Sequence, residues 1–324
     1  PVRFWLERLD VDSRKAHAAY FNRFMVWLRR QPRWEFISPH DLLVRRLEAE
    51  DDYEVLDVVQ SYVSNLKLAK ATKKKAYTVV RSFFAHNRAS LPDDPTFRMH
   101  GERPPVTPRL SLDNILEICH ASNLCYRSAI LVKWQAFLDN ARLIYVGKHL
   151  GEQVVSQIQR GVEPVRLDLP GRKANENESE GRYFTFIGRD AVDALTKYFD
   201  EQRGWPKGKE PIWIVKGKRP LTKSAFEASW LNQTRRIGLL PRKEGPVGSR
   251  YGYNLHEMRD VAISLCHTRL KAQGFDMDCA KFMAGQVGQV DPLKYDKFYE
   301  DSNYMRDQYL IAENCLNIIS QKPT

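Results

Sequence analysis

The chain has little cysteine and no arrangement that would use it in pairs. Its five cysteines, Cys119, Cys125, Cys266, Cys279 and Cys315, form no C-x-x-C motif, and no histidine cluster stands beside them at metal-ligand spacing. An odd number of thiols without a signal-peptide pattern points to structural cysteines in a reducing cytosol. No run approaches 18 apolar residues, so no helix is expected to cross a membrane. The phosphate-loop pattern G-x-x-x-x-G-K-[ST] is absent, which argues against a kinase or nucleotide hydrolase. Repeats and low-complexity tracts are absent as well.

Positive charge is what the chain has in excess. Lys and Arg number 51 against 40 Asp and Glu, a net charge of +11. Such an excess favours a polyanionic partner, because Lys and Arg neutralise phosphates and release counterions. Neither an RRM-like aromatic motif nor a KH-like G-x-x-G setting is present, which weakens an RNA-binding reading. A length of 324 residues favours two domains, and 43% hydrophobic residues supply two cores.

Apolar periodicity divides the chain. Residues 13–31 read as a helix capped by Ser13, with Ala16, Tyr20, Phe24, Trp27 and Leu28 on one face. Two more helices are expected over 52–66 and 72–87. The third opens on Lys73, Lys74 and Lys75, a basic face that could ride along a phosphate backbone while Val79, Val80, Phe83 and Phe84 pack. Residues 1–90 therefore read as a small helical domain. Pro92, Pro95, Pro104, Pro105 and Pro108 follow, so 91–108 reads as a linker.

Residues 109–324 read as a mixed domain. Helices are expected near 111–121 and 125–138, then two strands, Pro164–Leu169 and Arg182–Ile187, around a long polar loop. Helices follow near 189–202, 223–237, 257–273, 276–285 and 302–319. The fold class is mainly α with a small β-hairpin: a helical domain followed by an α+β domain.

The last quarter carries the chemistry. His256-Glu257-Met258-Arg259 opens a helix, and positions i and i+3 share a face, so His256 and Arg259 can meet one anion. A second H-x-x-R, His100 to Arg103, falls in the proline-rich stretch. Gly285-Gln286 follows, and nine residues after Gln286 comes Tyr295.

This order, with two domains, a hairpin with a basic loop, H-x-x-R and a tyrosine nine residues beyond the Gly285-Gln286 pair, resembles the tyrosine recombinase family, and the tail from Tyr295 resembles its archaeal integrases. The resemblance covers most of the chain. It implies that residues 1–90 form a core-binding domain that contacts DNA and that 109–324 form the catalytic domain. Carried over, the family's first arginine falls on Arg142 in Asn140-Ala141-Arg142-Leu143, at the end of the second catalytic-domain helix. Its lysine falls on Lys173 in Gly171-Arg172-Lys173, with Arg172 as a neighbouring DNA contact. His256 and Arg259 match the H-x-x-R pair, and Asp260 could orient Arg259. Tyr295 is the nucleophile, with Tyr299 and Tyr304 as competitors. Gln286 departs from the family's His or Trp, because Gln donates a hydrogen bond but exchanges no proton near neutral pH.

The resemblance implies cleavage and rejoining of double-stranded DNA through a 3′-phosphotyrosine, with no metal, ATP or other cofactor. It implies a tetramer on DNA, coupled through the C-terminal helix near 302–319, whose stripe of Tyr309, Leu310, Ile311, Leu316, Ile318 and Ile319 could equally pack on its own domain. It places the protein on cytoplasmic, prokaryotic DNA such as a nucleoid or mobile element. Gln286 motivates the first alternative, a DNA-binding protein of this fold with weak or no catalysis. A type IB topoisomerase-like enzyme is the second. The chain opens at Pro1, which leaves an upstream arm-binding domain open.

Overall fold

A computed structural model describes residues 1–102, 108–171, 182–240, 252–286, 290 and 292–320. The chain divides into two compact units, Pro1–Val106 and Thr107–Thr324.

The first unit is built from five helices: α1 (Val2–Glu7), α2 (Val11–Leu28), α3 (Pro39–Glu48), α4 (Glu54–Asn65) and α5 (Lys70–His86). α2 begins two residues before Ser13. α3 starts on a capping box, in which Ser38 and Asp41 each satisfy the other's backbone N–H, with Pro39 preset in the first turn. Aromatic rings fill the core. Trp5 meets Phe21 and Phe83 edge-on at 5.4 and 5.6 Å, within the favoured range for such pairs.

The described first part of the proline-rich stretch packs on this core rather than forming a free linker. Ala89 and Leu91 are buried in it, and Phe97 and Met99 pack against it. Arg81 donates to the carbonyls of Leu91 and Pro92 and pairs with Asp93 at 2.8 Å. Prolines end the helix, but they do not prevent side chains between them from burying.

The second unit begins with α6 (Leu112–Ala121) and α7 (Leu124–Gln135). α8 (Asn140–His149) and α9 (Gly151–Gln159) lead to a hairpin of β1 (Val165–Leu169) and β2 (Tyr183–Ile187), antiparallel with Val165 opposite Ile187. α10 (Arg189–Tyr198) runs on into one π-helical turn, Phe199–Arg203. A short pair, β3 (Ile214–Val215) and β4 (Arg219–Pro220), precedes α11 (Lys223–Arg236). α12 (Glu257–Leu270), α13 (Met277–Met283), α14 (Pro292–Glu300) and α15 (Ser302–Leu316) complete it.

α7 is the axis of this unit. It packs against α6, α8, α10, α12, α15 and β2, so its polar residues are buried too. A helix enclosed on all sides must satisfy those polar groups internally. The Gln135 amide does so by accepting from Gly188 N and Ala191 N and donating to Asn317.

α15 packs within its own unit. Met305, Tyr309, Ala312 and Leu316 are buried, and the Trp134 indole donates to the Leu316 carbonyl at 2.8 Å. Beyond the helix, the Asp190 carboxylate accepts from the backbone N–H groups of Ile318, Ile319 and Ser320 at 2.6, 2.6 and 3.0 Å. Most of the apolar stripe that could have docked on a neighbour is therefore used at home. Leu310 and Ile319 remain exposed.

Candidate active site

The site grows from the end of α7. That helix closes in a Schellman turn, with Leu138 N donating to Lys133 O at 3.1 Å and Phe137 N to Trp134 O at 3.4 Å. The left-handed position is taken by Phe137, at φ 54°, where glycine is usual. Asp139 then caps α8 by accepting from Arg142 N at 2.8 Å. Arg142 thus lies in the first turn of α8, not at the end of the preceding helix as the sequence resemblance implied. Its guanidinium donates to the Gly171 carbonyl just beyond β1.

The H-x-x-R pair opens α12 in the same manner. His256 is the residue before the helix and Arg259 lies in its first turn. Cations are unfavourable at a helix N-terminus, so stability does not explain either arginine. Two guanidiniums beside two helix N-termini are, however, a strong setting for an anion. Arg259 is largely buried, and its guanidinium reaches the Ala284 carbonyl at 3.5 Å. Asp260 lies 3.9 Å from it and is exposed, so it is a loose partner.

Ala284 leads into the Gly285–Gln286 turn. Gly285 has φ 68°, and a Cβ there would lie 2.7 Å from the Tyr183 ring. Glycine is required twice over, by conformation and by space. Gln286 N donates to Lys281 O at 2.9 Å, which seats the half-buried Gln286 in the turn that Arg259 touches.

Glu227 on α11 joins these parts. Its carboxylate accepts from the Asn140 amide at 2.9 Å and lies 3.8 Å from His256 Nε2. Asn140 is two residues from Arg142, so Glu227 ties the first arginine's helix to the histidine. The Asn140 carbonyl oxygen is buried with no hydrogen-bond partner among the described residues. A second buried link is Lys133. Its amine is fully enclosed, donates to Leu138 O at 2.5 Å, and lies in the fields of Asp139, Arg259 and Asp260. Burial pulls its pKa down to about 7.

Tyr295 on α14 is placed differently. Its hydroxyl donates to the Arg182 carbonyl at 2.5 Å, and its ring packs on Phe282. Among the described residues it has no hydrogen bond to Arg142, His256 or Arg259. Its phenol is pushed above the ordinary value, first by desolvation and then by Tyr299 and Asp296. Lys294 beside it pairs with Asp276 and Asp278 at 3.2 and 3.0 Å, pinning α14 to the start of α13. Tyr299 and Tyr304 are more exposed, and Tyr304 stacks on Phe298.

Asn140, Glu227 and the Ala284 carbonyl thus connect the elements that carry Arg142, His256, Arg259 and Gln286, whereas the Tyr295 hydroxyl bonds to the Arg182 carbonyl. Lys173 and Arg172 lie outside the described residues. In the first unit Lys73 is buried and its amine donates to Ser64 O at 3.0 Å, so it is a structural lysine and not a phosphate contact. Lys74 and Lys75 are exposed, and Lys75 lies 5.8 Å over the Tyr20 ring. Glu227, Asn140 and Lys133 were not read from the sequence. Only the buried charge of Lys133, in an apolar run of α7, could have drawn notice there.

No family model matches the chain, and no curated protein matches its sequence. Its structure is similar to that of XerA recombinase, at 13% identity and a TM-score of 0.40, over 93% of this chain and 97% of that one. It is similar to a lambda integrase tetramer bound to a Holliday junction, at 17% identity and a TM-score of 0.46, over 83% and 76% of the two chains. It is also similar to lambda integrase residues 75–356 bound to DNA, at 13% identity and a TM-score of 0.46, over 93% and 98%.

Proposed function

We propose that this protein is a site-specific DNA recombinase that cleaves and rejoins double-stranded DNA through Tyr295. The observation that supports this most is the joining of Arg142, His256 and Arg259 around two helix N-termini, with Gln286 in the adjoining turn. A phosphodiester is a poor electrophile because its charge repels nucleophiles. Arg142 and Arg259 on its non-bridging oxygens would cancel that charge and hold the pentavalent transition state.

In this mechanism the Tyr295 oxygen attacks phosphorus, forms a 3′-phosphotyrosine and releases a 5′-hydroxyl. The phenolic proton would leave during attack, with His256 as its acceptor. Lys173 would protonate the leaving 5′ oxygen, a role usually worth about 10²–10⁴-fold. Gln286 would donate one neutral hydrogen bond to the phosphoryl group. The covalent link conserves the bond energy, so rejoining needs no nucleotide cofactor.

Tyr295 must leave the Arg182 carbonyl and turn toward the arginines for this to occur. DNA that occupies the anion site is the natural trigger. The first unit, through Lys74 and Lys75, would supply further phosphate contacts. Four protomers would act together on DNA, with Leu310 and Ile319 as the exposed remnant of the tail's apolar stripe.

Nicked duplexes test the reading, since the nick lets the short strand diffuse away and traps the covalent intermediate. A pool of nicked fragments of the source DNA should yield a protein–DNA adduct on a denaturing gel. Loss of the adduct with Tyr295→Phe, and not with Tyr299→Phe, is the expected result. Salt-sensitive DNA retention without any adduct would favour the non-catalytic reading, which Gln286 motivates.

A further inference from the structure

Lys133 is the one fully enclosed lysine among the described residues, and none of the roles above uses it. A buried amine is costly unless it does something a methylene chain cannot. Its position shows what that is. The Lys133 carbonyl accepts from Leu138 N, and the Lys133 amine donates to Leu138 O. One residue thus closes the turn at both ends. The turn needs closing, because Phe137 occupies the left-handed region, a strained conformation for a bulky side chain. Leu138 is followed directly by Asp139, whose carboxylate fixes the first turn of α8 at Arg142 N. The charges of Asp139, Arg259 and Asp260 also act on the Lys133 amine.

We propose that Lys133 is a positioning residue for Arg142: by clamping the Phe137–Leu138 turn it sets Asp139, and through Asp139 it sets the place of Arg142 at the start of α8. It touches no substrate and acts through these groups. The proposal rests on the recombinase reading for its consequence, but not for its geometry.

The test is Lys133→Met, which keeps the chain length and packing while removing the donor. Two readouts are taken on the full chain. The first is the rate of adduct formation on nicked duplex beside DNA retention. The second is the Nη–Hη signal of Arg142, whose Nη2 donates to Gly171 O, in a ¹H–¹⁵N spectrum, which needs no activity. Arg127, whose Nε donates to Cys119 O at 2.9 Å on α6, is the internal control for folding.

The expected result is an adduct rate lower by about 10–100-fold, with DNA retention kept. The Arg142 signal should move to the position of a free arginine while the Arg127 signal stays. An unchanged rate together with an unchanged Arg142 signal overturns the proposal. If the wild type forms no adduct, the recombinase reading has failed, and the Arg142 signal alone decides: its loss supports the clamp and its retention overturns it. If the methionine variant does not fold, with the Arg127 signal lost too, Lys133→Leu carries the same comparison, since it too is apolar and removes the donor.

Discussion

The two halves of the candidate site are built in opposite ways. Around Arg142, His256 and Arg259, each group has a neighbour from another element: the Gly171 carbonyl, Glu227 and the Ala284 carbonyl. Around Tyr295, the contacts hold the group out of that assembly, through the Arg182 carbonyl and the Lys294 pairs. On the proposed function, the cationic half would be preorganised and Tyr295, as nucleophile, would be parked. Catalysis by electrostatic preorganisation needs the first to be rigid, since donors that must reorganise lose their advantage. A nucleophile that moves only when phosphate is bound would avoid attack at the wrong site.

The largest effect expected on this contrast concerns what lies beneath the rigid half. Lys133 has a pKa of about 7 when folded, against 10.5 in the unfolded chain. Below pH 7 both states carry the proton, and the folded state bears the whole cost of the buried charge. Between about 7 and 10.5 only the unfolded chain holds the proton, so stability rises with pH through this window. Relative to Lys133→Met, the wild type should gain on the order of 3 kcal/mol between pH 6 and pH 9. Urea denaturation of both proteins at pH 6 and pH 9 checks this, and parallel pH curves would show that Lys133 is not buried as described.

Removing a guanidinium attacks the rigid half directly. Arg142→Ala or Arg259→Ala should slow adduct formation by about 10²–10³-fold, as expected for loss of one transition-state donor. DNA retention should change little, because most affinity comes from many phosphate contacts. Equal losses in retention and rate would mean these arginines merely bind.

The same half was the more legible in the sequence. H-x-x-R is local, and its spacing of three puts both side chains at one helix start. The hairpin was legible from β-rich runs on either side of a polar loop, and α2, α4 and α5 from their apolar periodicity. α8 and α9 were not, because the break before them has neither glycine nor proline: Phe137 takes the left-handed position, and nothing in its chemistry signals that. α3 was missed although Ser38 and Asp41 spell out its start. Lys73 looked like its two neighbours, yet helical geometry turns it inward to the Ser64 carbonyl. Glu227 was invisible for a simpler reason: its partners Asn140 and His256 lie 87 and 29 residues away, and such contacts exist only after folding.

Glu227 gives a finer probe of the contrast. Glu227→Ala removes the carboxylate beside His256 and leaves the Asn140 amide without its acceptor. Adduct formation should fall by about 5–30-fold, the cost of one unmade buried hydrogen bond. Glu227→Gln, which can still accept from Asn140, should recover part of the loss. Full recovery would show that the negative charge beside His256 does not matter.

The smallest effect should come from the parked half, and in the opposite direction. Lys294→Ala releases α14 from Asp276 and Asp278. Exposed pairs of this kind contribute little, so adduct formation should rise by only about two- to fivefold. A fall instead would mean that the Lys294 pairs hold Tyr295 in its working position, and the contrast between the halves would be lost.

The most direct measurement is to digest the covalent adduct from nicked duplex and identify the nucleotide-bearing peptide by mass spectrometry. The modified side chain should be Tyr295, within Lys294–Lys297, joined to the 3′ phosphate. Attachment at Tyr299 or Tyr304, or no adduct on any fragment of the source DNA, would contradict the account.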